Sequence, residues 1–304
     1  METVDTLINA GWIVPVEPDC SALADHSVAI RDGRIVAVLP TPEAAGRYEA
    51  VEVIDRPGHV ILPGFVNAHT HSPMTLLRGY ADDMALDVWL HDHIWPAEGR
   101  FVRPGFVADG TRLAVAEMFR SGTTCFNDMY FFQDATIDVC RSAGMRLSAG
   151  ITVIEMASSW AANVDEYLDK GLDLVKSCRD DPMVSFALAP HSPYTISDPT
   201  MDRVAEVSEQ QGLPVHMHVL ETAWEIQKSQ EQHGVYPLER LDRHGLLNER
   251  LIAVHMTQLG SADIERVADA GVALWLLLKR RNRSGLGPRL RGAPAHCRWR
   301  LGDC

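Results

Sequence analysis

Apolar residues follow two different periods along this chain. Between residues 5 and 58 they come in short runs: Thr6-Leu7-Ile8-Asn9-Ala10, Trp12-Ile13-Val14-Pro15-Val16, Ser27-Val28-Ala29-Ile30 and Arg34-Ile35-Val36-Ala37-Val38. Their length and β-branched content predict strands. Arg31-Asp32-Gly33 links the last two runs, and Asp-Gly between apolar runs predicts a tight hairpin. Residues 1–58 are therefore expected to form a small β-sandwich-like domain. From residue 59 the strand-like runs alternate with longer amphipathic stretches, among them residues 111–119, 164–168 and 201–207. Seven such strands are predicted, at residues 60–68, 123–127, 146–153, 184–189, 215–219, 251–255 and 272–278. Strands alternating with helices imply parallel βα units. The expected fold over residues 59–278 is an α/β (β/α)8 TIM barrel that lacks its eighth strand.

In such a barrel the chemistry gathers at the C-terminal ends of the strands. The first predicted strand ends in Val66-Asn67-Ala68-His69-Thr70-His71-Ser72. Side chains at i and i+2 on a strand share a face, so His69 and His71 can converge on one metal ion. The fourth strand runs into Pro190-His191-Ser192-Pro193-Tyr194, the fifth is Val215-His216-Met217-His218-Val219 followed by Leu220-Glu221-Thr222, and the sixth ends in His255. Four of the seven strands thus deliver histidine to one rim, which favours a metal site. His216 and His218 share a face, and His218, nearer the strand end, is the favoured ligand. A second His-x-His, His91-Asp92-His93, lies among apolar residues at helical spacing. On a helix i and i+2 point to nearly opposite sides, so His91 and His93 are read as surface or packing residues.

Composition narrows the function classes. The 304 residues include 46% hydrophobic types and carry a formal charge of −13. This is enough for a sizeable core and argues against a nucleic-acid or anionic-membrane partner. No run of about 20 apolar residues is present and the first five residues are acidic, so a cytoplasmic location is expected. Cys20, Cys125, Cys140, Cys178, Cys297 and Cys304 show no Cys-x-x-Cys spacing, and reduced thiols are expected.

The segment Pro63-Gly64-Phe65-Val66-Asn67-Ala68-His69-Thr70-His71, followed by Met74-Thr75-Leu76-Leu77-Arg78-Gly79-Tyr80-Ala81-Asp82-Asp83, resembles the amidohydrolase superfamily. More narrowly it resembles the branch of 5'-methylthioadenosine/S-adenosylhomocysteine deaminases and triazine chlorohydrolases. Trp89-Leu90, Trp95-Pro96-Ala97-Glu98, Asn127-Asp128-Met129-Tyr130, His191, His218-Val219-Leu220-Glu221-Thr222 and Ala253-Val254-His255-Met256 support it, over residues 5–275. The resemblance implies that His69, His71 and His218 bind a divalent ion, usually zinc. It places Glu221 and His255 beside the attacking water, and Trp89, Glu98 and His191 in the substrate pocket. The implied reaction is hydrolytic deamination of an adenine ring with release of ammonia. Three neutral imidazoles leave one coordination position open, where a water is acidified toward a pKa of about 7. Glu221 then stands close enough to His218 to pass a proton to ring N1, and His255 can orient the attacking water. Glu98 resembles the residue that accepts hydrogen bonds from ribose hydroxyls. An arginine that some members carry after the third strand is not evident in Gly150-Ile151-Thr152-Val153. Methylthioadenosine is therefore expected ahead of S-adenosylhomocysteine, with adenosine-type nucleosides in the same class and a homo-oligomer possible. The alternatives are amino- or chlorohydrolysis of a triazine or other heterocycle, and an inactive fragment.

Residues 279–304 depart from the family pattern. They hold eight Lys or Arg against one acid, Asp303, and no amphipathic period runs from Arg280 to Arg300. A shifted reading frame with premature termination is expected, with a basic tail or an anionic-partner patch as the alternatives. The family's eighth strand ends in a metal-binding aspartate, which Asp303 replaces only if an unheralded strand precedes it. Without that strand the barrel would not close, and its open edges would invite aggregation.

Overall fold

The computed structural model describes residues 1–17 and 21–275. The predicted tail, with Asp303 and any eighth strand, lies outside the described residues. The chain divides into two compact units, Met1–Phe65 and the part from Val66 onward.

The first unit is a four-stranded sheet. Its strands are β1 (Glu2–Ile13), β2 (Leu23–Arg31), β3 (Arg34–Pro40) and β4 (Tyr48–Ile61), in the order β3-β2-β1-β4. β2 pairs antiparallel with β1 and β3, whereas β4 returns parallel to β1 after helix α1 (Thr41–Arg47). The predicted hairpin forms at Asp32-Gly33, where both residues adopt positive φ, 52° and 69°. A tight two-residue turn needs that conformation, and glycine adopts it without steric cost. Val4, Leu7, Ala29, Leu39, Ala44 and Tyr48 bury one face, so the expected sandwich is seen as one sheet with a helix against it.

The second unit holds β5 (Phe65–Thr70), α2 (Leu86–Val88), α3 (Trp95–Phe101), α4 (Pro104–Arg120), β6 (Thr123–Tyr130), α5 (Gln133–Ala143), β7 (Arg146–Val153), α6 (Val164–Ser177), β8 (Val184–Pro190), α7 (Asp198–Gln211), β9 (Val215–Val219), α8 (Ala223–His233), α9 (Pro237–Arg243), β10 (Leu251–His255), α10 (Ser261–Asp269) and β11 (Ala273–Trp275). The seven strands stand in strict chain order, and β6 through β11 pair parallel with their neighbours. Among the described residues these are seven strands of the (β/α)8 barrel that the strand-helix alternation predicts. The one long strand expected over residues 60–68 is instead two. Pro63 has no N–H to donate and restricts Leu62, so β4 ends at Ile61 and β5 starts afresh at Phe65 in the other sheet.

The strands β7, β8 and β9 are largely buried, and crossover helices pack on one face of the sheet. Strand β9 shows the division of labour. Val215, Met217 and Val219 join Met201 and Val204 of α7 and Leu238 and Leu241 of α9 in the main core. The alternate residues, His216 and His218, therefore face the other side of the sheet. One face of each strand holds the helices in place while the other, toward its C-terminal end, is left for chemistry.

Candidate metal centre

β5 delivers His69, and the chain then turns sharply. His71 lies just beyond the strand, where it starts a 3-10 turn, Ser72–Leu77. The turn is held by Asp128 at the end of β6. Its buried carboxylate accepts hydrogen bonds from Thr70 Oγ1 at 2.8 Å, from the Ser72 amide at 2.6 Å and from Gln133 Nε2 at 3.2 Å. Burial pushes the Asp128 pKa up, and these three donors oppose the rise. The expectation of two histidines on one strand face thus gives way to one on the strand and one on a turn braced by its neighbour strand.

The imidazoles of His69, His71, His191, His218 and His255 form one cluster. His69 lies 4.8 Å from His71, 4.7 Å from His218 and 5.9 Å from His255 between ring centroids, and His191 lies 4.7 Å from His218. One ring nitrogen from each of His69, His218 and His255 falls within 4.8 Å of the others. His69 Nε2 and His218 Nε2 are 3.1 Å apart. Two nitrogens on a tetrahedral zinc with bonds of about 2.0–2.1 Å stand about 3.3 Å apart, so this pair suits such an ion.

The outer nitrogens are tied down. His71 Nδ1 lies 2.6 Å from the Met129 carbonyl and His218 Nδ1 lies 2.7 Å from the His191 carbonyl. A carbonyl only accepts, so Nδ1 donates and the Nε2 lone pair is left for a cation. Desolvation drives the rings of His69, His71, His191, His216 and His218 toward the neutral form that a metal needs. His191 and His216 are pushed down to about 3, first by burial and then by the charges that His71 and His255 would carry. His69 falls further and His218 is held well below its ordinary value, burial again being the leading cause.

Glu221 stands at the rim with Oε2 3.4 Å from His255 Nε2, their side chains 15% and 11% exposed. The backbone here is unusual. Leu220, His255 and Met256 all take positive φ, at 52°, 77° and 49°. Non-glycine residues adopt this left-handed conformation at a cost and only where surroundings enforce it. The enforcement is visible on both strands. The Glu221 and Thr222 amides donate to the buried Glu225 carboxylate at 2.8 and 3.1 Å, and the Met256 and Thr257 amides donate to the Val219 and Leu220 carbonyls at 3.0 Å. Burial raises Glu225 to about 7.

Glu98, on α3, is raised to about 7 by burial, partly countered by the neighbouring Tyr130 phenol. Among the described residues that phenol makes no hydrogen bond of ordinary geometry, and its ring lies 6.4 Å from that of His71. Trp89 donates its indole N–H to the Ala81 carbonyl at 3.0 Å and lines a cleft of about 370 Å³ with Met74, Leu77, Arg78 and Ile94. His91 and His93 lie in a π-helical turn, Trp89–Ile94. His91 is exposed, with Nδ1 on the Asp87 carbonyl and its ring against Trp95. The sequence alone points to no role for Asp128 or Glu225. A carboxyl beside several backbone amides has no local sequence signal except, for Glu225, its place three residues after Thr222 in a capping-box spacing.

Comparisons with known proteins follow this geometry. Residues 60–292 match the model of the amidohydrolase family. The chain is 42% identical over 269 residues to 5-methylthioadenosine/S-adenosylhomocysteine deaminase of Teredinibacter turnerae, covering 88% of this chain and 61% of the relative. The corresponding enzyme of Aquifex aeolicus is 35% identical over 256 residues, 84% of this chain and 57% of the relative. This chain therefore spans about three fifths of the length of these relatives. Among solved structures, an adenosine deaminase from Xanthomonas campestris with bound zinc superposes with a TM-score of 0.88 at 50% identity, covering 90% of this chain and 62% of that one. Atrazine chlorohydrolase from Arthrobacter aurescens TC1, complexed with zinc, shares the fold with a TM-score of 0.82 at 21% identity, covering 90% of this chain and 65% of that one. A parallel sheet in chain order, histidines converging from β5, β9 and β10, and a family match over most of the chain agree: this protein belongs to the amidohydrolase family.

Proposed function

We propose that the site serves metal-dependent hydrolytic deamination of the adenine ring of 5'-methylthioadenosine or a closely related nucleoside. The observation that carries this reading is the convergence of His69, His218 and His255 nitrogens within 4.8 Å, with Glu221 beside His255. The identity with named deaminases supports the substrate class. His69, His71 and His218 are the proposed metal ligands, with His255 close enough to join or to face the attacking water. Zinc is the proposed ion, because an all-imidazole donor set suits it. When bound, such an ion supplies an acidified water at neutral pH.

The remaining roles belong to the chain. Glu221 delivers a proton to ring N1, which makes C6 electrophilic as water adds there; it recovers a proton as the C6 hydroxyl becomes the carbonyl, the other proton of the water passes to the exocyclic nitrogen, and the C6–N bond breaks to release ammonia. His255, held by its strained backbone and by Glu221, orients the nucleophile. The ionised oxygens of Glu98 accept hydrogen bonds from the ribose hydroxyls. Trp89 and His191 wall the pocket. Among the described residues no helix is long and apolar enough to cross a membrane, and a cytoplasmic location is part of the proposal. A homo-oligomer belongs to it as well.

The test is to load this chain with zinc and assay ammonia release from methylthioadenosine, S-adenosylhomocysteine and adenosine, together with the change in purine absorbance. Ammonia from methylthioadenosine ahead of the other two is the expected result. A folded, zinc-containing sample that releases none from any of the three would overturn the reading. Chloride from a chloro-triazine would transfer the activity to the other branch.

A further inference from the structure

Three of the clustered imidazoles, His69, His71 and His218, have Nδ1 tied to a neighbour, which leaves Nε2 to face a cation. For His71 and His218 that neighbour is a main-chain carbonyl, of Met129 and His191. His69 is different. Its Nδ1 lies 2.9 Å from Nε2 of His216, with the two rings 5.0 Å apart and at 76° to each other. His216 sits on β9 one pleat deeper than His218 and is wholly inaccessible to solvent. We infer that His216 is a positioning residue for the metal centre, taking the part of the missing carbonyl by accepting the His69 Nδ1 proton and so aiming the His69 Nε2 lone pair at the cluster. This rests on the metal-site reading proposed above.

A proton count favours this arrangement. If Nε2 of His69 is to offer a lone pair, its proton must reside on Nδ1, which then donates to His216 Nε2. His216 in turn carries its own proton on Nδ1. That atom is buried and has no hydrogen-bond partner among the described residues. A side chain present only to fill space would not leave a polar atom unsatisfied in this way, since leucine packs there with nothing to satisfy. The orphaned nitrogen is the cost of presenting an acceptor, Nε2, to His69. The opposite tautomer would place a proton on His69 Nε2, only 3.1 Å from His218 Nε2, and would block the site.

The test compares His216→Leu, His216→Gln and His216→Asn with the parent chain. The readouts are Zn²⁺ affinity by competition with a chromophoric chelator and the melting temperature of each metal-free protein. Leucine keeps the packing and loses the acceptor, glutamine carries an amide oxygen to about the depth of Nε2, and asparagine falls short. We expect His216→Leu to weaken zinc binding about 10- to 100-fold with no fall in the metal-free melting temperature. His216→Gln should recover most of the affinity and His216→Asn little. Equal affinity in parent and His216→Leu would overturn the inference, as would equal losses in His216→Leu and His216→Gln. Should the leucine variant not fold, the order of glutamine over asparagine decides, and its absence is likewise fatal. A parent chain that binds no zinc sinks the metal-site reading and this inference together, whereas tight binding indifferent to residue 216 sinks this inference alone.

Discussion

Two His-x-His pairs of identical spacing meet opposite fates in this molecule. His69 and His71 stand at the end of β5, packed against three further imidazoles, with their outer nitrogens tied and their rings held neutral by burial. His91 and His93 ride a π-helical turn, where exposed His91 bonds the Asp87 carbonyl one turn back and lies against Trp95. Spacing alone does not make a ligand pair. The first pair gains its chemistry from strands far along the chain that supply partners and exclude water, whereas the second has only its own turn.

The largest effect that bears on this contrast is metal retention. His69→Ala should lower deaminase turnover on the order of a thousandfold or more and strip zinc from the purified chain. His91→Ala should leave both within about twofold. Elemental analysis beside an ammonia assay checks this, and equal losses in the two variants would erase the distinction. Next in size is Glu221→Gln, which should retain zinc yet lose about 10²- to 10⁴-fold in turnover, because the amide has no proton to deliver to the ring. Zinc loss in that variant would move Glu221 from proton transfer into the metal shell.

Two other buried histidines at the site predict how the metal-free chain responds to acid. His191 and His216 bind protons only near pH 3 when folded and near 6.5 when unfolded. The unfolded chain therefore holds more protons between these values, and stability must fall as pH drops below about 6.5. Each such histidine contributes a slope of up to about 1.4 kcal/mol per pH unit. Denaturant melts from pH 7.5 to pH 5 should show this decline, and zinc should flatten it, since the ion competes with protons for the same nitrogens. A smaller effect concerns Glu98. Its folded pKa of about 7 exceeds the ordinary carboxylate value, so the folded state resists its ionisation and loses stability as pH rises from about 4.5 through 7. Glu98→Gln should thus be the more stable protein at pH 8, by about 1–3 kcal/mol, and equal to the parent at pH 4. Its KM for nucleosides should rise and lose any improvement with pH near 7. An unchanged KM would remove Glu98 from the ribose subsite.

Much of this was legible in the residues. Alternation in Val215-His216-Met217-His218-Val219 separates core from site by period two, and the structure keeps that division. The strand-helix rhythm announces the parallel sheet, and Asp32-Gly33 its hairpin. What stayed hidden depends on contacts between distant positions. The bond from His216 to His69 joins residues 147 apart, and no local pattern distinguishes it from packing. The bracing of Ser72 by Asp128 spans 56 positions. The entry of His255 into the nitrogen cluster goes with a left-handed backbone, uncommon for any residue but glycine, that no local pattern announces. Pro63, by contrast, is visible in the sequence, and it divides a continuous apolar run between two sheets.

The strict chain order of the parallel sheet carries one more consequence. β5 is laid down first and stands at one end of the sheet, yet its His69 meets His218 of β9, 149 positions later. A cation gripped by both works as a buckle on a belt, fastening early and late parts of the polypeptide across a very long loop. Restraints of that kind act mostly on the unfolded chain, and their benefit grows slowly with the length they span. The ion would then serve the half-made protein before it serves the substrate: a newly synthesised chain would remain unfastened until β9 emerged, and the supply of metal in the cell would govern how much of it reached the folded state.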